Sequence, residues 1–196
     1  MTKLTGPRLI GFLGGPCTGK TTICSNLLNT LQQQNINAGW TKEFVSDDIP
    51  VNGAPPFESL VYEQFRFNFM QRRRELEYLQ KHDIVITDAP LLLGYAYALQ
   101  NETSSYCARQ QRLMQDFMPL FKEDAKNYHK LYFLSREFPY EDNGIRFHTE
   151  EQAVDFDQHL KALLKETGID YTLLKGSVEE RVNTVLADMK ATSAAA

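Results

Sequence analysis

Between Leu9 and Thr21 the chain reads LIGFLGGPCTGKT, an apolar run that passes directly into the pattern G-x-x-x-x-G-K-T. The run is short and bounded by glycines, so it reads as a strand buried on both faces. Gly14, Gly15 and Gly19 carry no Cβ, which lets the backbone behind the strand bend sharply and turn its N–H groups toward one point. Thr21 to Gln33 (TTICSNLLNTLQQ) follows as a helix whose N-terminus adds positive potential there. Strand, glycine loop and helix in this order cradle an anion, and the residues that close the pattern specify which one. Lys20 reaches the β- and γ-phosphates of a nucleotide, and Thr21 offers a hydroxyl to Mg²⁺. Gly14, Gly15, Pro16, Cys17, Thr18, Gly19, Lys20, Thr21 and Thr22 are therefore the candidate residues for binding a nucleoside triphosphate.

Downstream, short β-type runs alternate with longer helical ones, the pattern of a parallel sheet with crossover helices. Strands are expected at about 8–13, 38–45, 83–88, 129–134 and 170–174, and helices near 19–33, 58–81, 105–127, 150–167 and 177–189. In the 58–81 helix Val61, Phe65, Phe69, Leu76 and Leu79 recur at spacings of three, four and seven and mark a buried stripe, with Tyr62 and Phe67 off it. The 150–167 helix opens with Thr149 and Gln152 in a capping box and closes at Gly168. Ser46–Pro56, with three prolines and a glycine, is expected to be loop. The segment 135–148 (SREFPYEDNGIRFH), with Pro139 and Asn143-Gly144, is expected to be another. Both leave the carboxyl ends of strands, where open α/β sheets bind ligands, and are candidates for a substrate loop and a lid.

At 196 residues the chain is long enough for one sheet covered on both faces, and no linker divides it. A single domain over 1–190 is expected, with 191–196 as a disordered tail. The 21 basic against 25 acidic residues leave a net charge of −4, which argues against nucleic acid or anionic membrane as an electrostatic partner of the whole surface. Cys17, Cys24 and Cys107 show no C-x-x-C pairing, and no apolar run approaches the length of a membrane span or a signal segment. A soluble protein of the reducing cytoplasm is the expectation.

Transfer of a phosphoryl group asks for charge neutralisation and positioning, so carboxylates and cations near the loop are the candidates. Asp88 ends the apolar run Ile84-Val85-Ile86-Thr87, the form of a carboxylate that holds Mg²⁺; it also suits a helix N-cap. Glu43 closes the second strand and is a candidate acid–base group for an acceptor hydroxyl, or a solvated edge residue. Asp47 and Asp48 follow as loop formers, Asp48 being the better outside candidate. Arg136 and Arg146, ten residues apart in 135–148, are candidates for an arginine finger in cis. Arg72-Arg73-Arg74 cannot all face one site from a helix, and at least two are expected in water or paired with Glu75 and Glu77. Trp40, Phe57 and Tyr62 are candidates to sandwich a planar base, or plain packing residues. His82, His129, His148 and His159 show no metal-binding spacing, so Mg²⁺ is the one metal implied.

The order of these motifs resembles the P-loop domain of ribosylnicotinamide kinases found in bifunctional nicotinamide-nucleotide adenylyltransferases, within a group of kinase-like AAA domains. The resemblance rests on Gly14-Gly15-x-x-x-Gly19-Lys20-Thr21-Thr22, Glu43, Gln71-x-x-x-Glu75, Tyr128, Asp142-Asn143-Gly144-Ile145-Arg146 and Gly176-x-x-x-Glu180-Arg181. It implies an α/β P-loop NTPase sandwich of three layers, a parallel five-stranded sheet of kinase-type order 2-3-1-4-5, ATP as donor and a nucleoside-like hydroxyl as acceptor. Glu43-Phe44-Val45-Ser46 and Asp88-Ala89-Pro90-Leu91 depart from the family's segments, so acceptor identity stays open. Three functions are in play: a small-molecule kinase, a kinase for a hydroxymethylated base in DNA that Arg66 and Arg72-Arg73-Arg74 would track, and an ATPase switch that binds a protein partner. No N-K-x-D guanine signature is present.

Overall fold

The computed structural model describes residues 8–53, 60–100, 107–138, 140 and 149–194. Five strands, β1 (Arg8–Leu13), β2 (Ala38–Thr41), β3 (Ile84–Thr87), β4 (Lys130–Leu134) and β5 (Thr172–Leu174), form one parallel sheet in the order β2-β3-β1-β4-β5. The order the family resemblance implies is the one observed. Central β1 is buried along its whole length and alternates: Ile10 and Phe12 face one core, Leu9 and Leu13 the other. Helices α1 (Lys20–Gln33) and α7 (Val178–Ala194) cover the first face through Ile23, Leu27, Leu31 and Val185. The second face lies under α3 (Leu60–Leu79), α4 (Leu91–Gln100), α5 (Ala108–Ala125) and α6 (Glu150–Thr167). No helix among the described residues is long and apolar enough to cross a membrane.

Strand ends, α1 and α6 fall close to expectation because their signals are local. Thr149 Oγ1 accepts from Gln152 N–H at 3.3 Å, Gln152 Oε1 accepts from Thr149 N–H at 2.9 Å, and Gly168 closes α6 in the left-handed region. α7 runs on to Ala194, so residues 191–194, expected in a tail, continue the helix.

Two helices correct the expectation. β2 stops at Thr41, and Phe44–Asn52, expected as strand and loop, forms helix α2 with Pro50 inside it. A proline this late in a short helix removes one backbone hydrogen bond. A tertiary anchor offsets that loss, the two-pronged bond of Arg66 on Asp48 (2.6 and 3.0 Å), and within the helix Asn52 adds a bond to Asp48 (3.0 Å). The Arg66 guanidinium holds the Asp48 carboxyl below its ordinary pKa. α4 had no expected element, because Leu91, Leu92, Leu93, Tyr95, Ala96 and Ala98 are buried on every side and show no period.

Val61, Phe65 and Leu79 of the expected α3 stripe pack into or against the core, and the stripe shifts by one position only between them. Phe69 and Leu76 are 45% and 48% exposed, while Phe67 is buried and Asn68 and Glu75 take the inward places. Polar anchors fix this rotation. Gln71 Oε1 accepts from Phe44 N–H at 2.7 Å and its Nε2 donates to Thr87 Oγ1 at 3.2 Å. Glu75, fully buried, accepts from Tyr128 O–H at 3.1 and 3.2 Å and from Arg72 Nη1 at 3.0 Å, while Arg72 also pairs with Asp124 at 3.1 Å. Tyr128 Oη in turn accepts from Leu91 N–H at the start of α4. One carboxylate thus ties α3, α4, α5 and the entry to β4 together.

Burial outweighs the pull of Arg72 and the hydroxyls and pushes the Glu75 pKa up to about 7. Between the usual carboxylate range and that value the folded chain holds a proton the unfolded chain lacks, so stability falls as pH rises through this window. Glu75→Gln should flatten the fall. Denaturant midpoints of both proteins from about pH 5 to about pH 8 measure it, and an unchanged slope would assign the titration elsewhere.

Candidate active site

The loop from Gly14 to Gly19 lies at the carboxyl edge of β1, between the two halves of the sheet. Its backbone enters the left-handed region at Gly19 (φ 86°) and at the non-glycine Cys17 (φ 61°), and has φ 139° at Gly14. A Cβ at Gly14 would also come within 2.8 Å of Thr18 Oγ1. The carbonyls of this loop are held from outside. Lys20 Nζ donates to Gly14 O (2.6 Å) and Gly15 O (2.9 Å), Arg136 Nη1 to Pro16 O (2.7 Å), and Arg181 Nη1 to Thr18 O (3.1 Å). Thr18 Oγ1 donates to Gly15 O at 2.9 Å. With its carbonyls engaged by cations, the Gly15 N–H bonded to Asp157 and Pro16 lacking an N–H, the loop's remaining amides are the groups able to meet an anion. Arg181, almost wholly buried, also donates to Ser135 O (2.8 Å) and Gly176 O (2.9 Å), so α7 and the end of β4 are pinned to the same loop.

Lys20, Thr21, Asp88 and Glu43 are brought together here. Thr21 Oγ1 donates to Asp88 Oδ2 at 3.2 Å. Asp88 is buried, its Oδ1 makes no hydrogen bond among the described residues, and the Trp40 N–H helps hold its charge without meeting hydrogen-bond geometry. Burial, then the charge of Glu43, raise the Asp88 pKa, against Lys20 and the Thr21 hydroxyl. Burial lowers the Lys20 pKa, and Glu43, Asp88 and Asp157 pull it back. Glu43 stands at the N-cap of α2 and accepts from Ser46 Oγ at 3.0 Å. The ammonium and the two strand-end carboxylates therefore share one electrostatic site. A buried carboxylate oxygen without a partner, beside a threonine hydroxyl, is a donor set suited to a hard divalent cation. Among the described residues no group of three or more His, Cys, Asp and Glu side chains is placed to hold a metal by itself.

Arg136 does not point outward as a free cation. Its three nitrogens meet Asp157 Oδ2 (2.9 Å), Pro16 O (2.7 Å) and Ala153 O (3.1 Å), while Asp157 Oδ1 accepts from Gly15 N–H at 2.6 Å. Arg146 and most of 135–148 lie outside the described residues, as does Phe57. Trp40 packs beside the α1 and α7 core under Lys42, and Tyr62 is exposed on α3, so these two do not form a base sandwich. Asp47 pairs with Arg74 and Asp48 with Arg66, away from the loop.

Two site residues escaped the sequence reading. Asp157 sits on the inward stripe of α6 beside Ala153, Phe156, Leu160 and Leu164, and a carboxylate at a core position was a readable signal. Tyr97 on α4 stacks on Phe156 at 4.1 Å, and its hydroxyl lies in the fields of Glu43, Asp157, Arg136 and Cys17; burial first, then Glu43, raise its pKa. Nothing in the unbroken apolar run of α4 marks it.

A family model described as an AAA domain matches residues 9–181. The chain belongs to this family. Similar solved structures include NadR protein in complex with NR, at 19% identity and a TM-score of 0.67 over 87% of this chain; this chain spans 46% of that one. Deoxyadenosine kinase from M. mycoides with bound dATP is 16% identical, with a TM-score of 0.65 over 92% of this chain and 98% of its own. Thymidylate kinase from Ehrlichia chaffeensis is 16% identical, with a TM-score of 0.61 over 94% and 99%. At these identities the likeness shows the fold, which is that of P-loop kinases. No curated protein sequence matches the chain.

The AAA-domain loop leaves no room at its second glycine. A Cβ on Gly15 would lie 2.8 Å from Asp157 Oδ1 and 3.1 Å from Ala153 O. Gly15→Ala should destabilise the fold by about 1–3 kcal/mol, read as a lowered thermal midpoint. An unchanged midpoint would mean that the contact gives way freely.

Proposed function

We propose that the protein is an ATP-dependent phosphotransferase that phosphorylates a hydroxyl of a nucleoside-like or ribosyl small molecule. The observation that carries the reading is that the charge of Glu43 bears on both Lys20 and Asp88 beside the glycine loop, a position from which a carboxylate could serve an acceptor hydroxyl. The fold shared with NadR protein in complex with NR and with deoxyadenosine kinase supports the choice of acceptor class.

In this mechanism Lys20 and the backbone amides toward the Gly19–Thr22 end of the loop grip the phosphates of ATP, since Pro16 has no N–H and that of Gly15 is bonded to Asp157. Thr21 and Asp88 would hold Mg²⁺, which when bound neutralises charge on the phosphates. Glu43 orients the acceptor hydroxyl and takes its proton as the new O–P bond forms and the bond from the γ-phosphorus to the β,γ-bridging oxygen breaks, releasing ADP. Arg146 is assigned to the transferring phosphoryl group. The three free thiols fit a reducing, cytoplasmic setting. The modified-base DNA reading needs free arginines on α3, yet Arg66 pairs with Asp48 and Glu63, Arg72 with Glu75 and Asp124, Arg73 with Glu77 and Arg74 with Asp47. The ATPase-switch reading leaves Glu43 beside Lys20 without a task.

The test is a panel of nucleosides, ribosyl pyridines and hydroxymethylated-base DNA with γ-labelled ATP. Label on a nucleoside or ribosyl compound is expected; label on DNA alone, or hydrolysis independent of any acceptor, sinks the reading. Glu43→Gln should cut turnover by about 10²-fold or more with nucleotide affinity retained, and a rate within about twofold removes Glu43 from acid–base duty. Lys20→Ala should abolish tight Mg-ATP binding in calorimetry, and unchanged affinity would refute the cradle.

A further inference from the structure

Arg136, just past β4, and Asp157, in α6, come from two different elements, and both are bonded to the phosphate loop. Gly15 N–H donates to Asp157 Oδ1 and Arg136 Nε to Asp157 Oδ2, while the other guanidinium nitrogens take the carbonyls of Pro16 and Ala153. The part-buried pair is fully engaged: both carboxylate oxygens and three guanidinium nitrogens have partners. Burying such a pair costs the hydration of both charges, and an apolar contact would pack α6 on the loop without that cost. What an apolar contact cannot do is fix the direction of the Gly14–Gly15 and Pro16–Cys17 peptide groups. Those peptides need fixing, because Cys17 sits at φ 61° in a conformation a side-chain-bearing residue does not hold unaided.

We propose that Asp157 and Arg136 are positioning residues that hold the phosphate loop in its anion-binding shape before nucleotide arrives. Arg136 acts on Pro16 and through Asp157, and not on the transferring phosphoryl group. The proposal rests on the triphosphate reading above and adds to it the source of the loop's pre-organisation. Without the brace, part of the free energy of nucleotide binding goes into ordering the loop, and affinity falls.

Calorimetric titration of Mg-ATP, with a thermal midpoint for each protein, tests this on the intact chain, Arg136→Ala, Asp157→Ala, the double variant and Asp157→Asn. Each alanine variant should bind at least about tenfold more weakly, equivalent to ~1.4 kcal/mol. The double variant should lose no more than the weaker single by about twofold, because the two side chains act as one unit. Asp157→Asn keeps an oxygen for Gly15 N–H but turns its NH2 toward Arg136 Nε–H, so its affinity should fall between the intact chain and Asp157→Ala, and affinity equal to the intact chain overturns the part assigned to the Arg136–Asp157 bond. Unchanged affinity in both alanine variants overturns the proposal whatever the midpoints do: a merely structural brace lowers the midpoint alone, and an arginine finger lowers turnover alone. Fully additive losses in the double variant overturn the coupling of the pair. Should the alanine variants not fold, Arg136→Lys keeps the charge and loses the fork, and binding equal to the intact chain overturns the proposal. Failure of the intact chain to bind Mg-ATP overturns the triphosphate reading and the brace together.

Discussion

The capture of the loop carbonyls by cations is the constraint on which the site depends. A peptide group cannot present its N–H to an anion unless its carbonyl is satisfied elsewhere, and within a buried loop water cannot do this. Here Lys20, Arg136 and Arg181 supply the partners from α1, from the end of β4 and from α7. Lys20 and Arg181 reach the loop from α1 and α7 on the first face of the sheet, and Asp157, which holds Arg136, reaches it from α6 on the second, so the loop is assembled only when both cores are packed. Binding geometry at Gly14–Thr21 is in this sense a readout of the whole fold.

The same requirement explains which parts were legible in the chain. β1, the glycine loop, α1 and the caps of α6 are written in residues within a few positions of one another, and each was placed nearly where it lies. α2 and α4 were missed for opposite reasons. α2 carries a proline that local propensity counts against a helix, and its stability comes from Arg66 on α3. α4 is apolar all round, so its burial erases the periodicity that would announce it.

The site divides along the same line. Lys20, Thr21 and Asp88 were legible because each belongs to a motif with fixed spacing or ends an apolar strand. Arg136 was picked out for its location, but its bond to Asp157 spans two elements and gives no local signal. Asp157 left one trace, a carboxylate on the inward stripe of α6. The polar inner face of α3 was hidden because Phe69 and Leu76 offered a better apolar stripe one position away; the buried amide of Gln71 and carboxylate of Glu75 chose the rotation instead.

A physical asymmetry follows between the two halves of the site. The glycine loop proposed to hold the donor rests on the central strand, on Lys20 and Arg181 from the first face and on Asp157 from the second. The acceptor-side carboxylate, Glu43, caps a nine-residue helix that contains a proline, shorter than the length at which an isolated helix holds itself in water. That helix stays in place through the Gln71 bond to Phe44 N–H and the Arg66 fork on Asp48, both reaching over from α3. Changes on one face of α3 or in the 44–52 sequence can therefore re-aim Glu43 without disturbing the loop. In the proposed reading donor and acceptor are separated in this way: the glycine loop is fixed by the packed core, and the carboxylate proposed for the acceptor hangs on a few replaceable side-chain bonds.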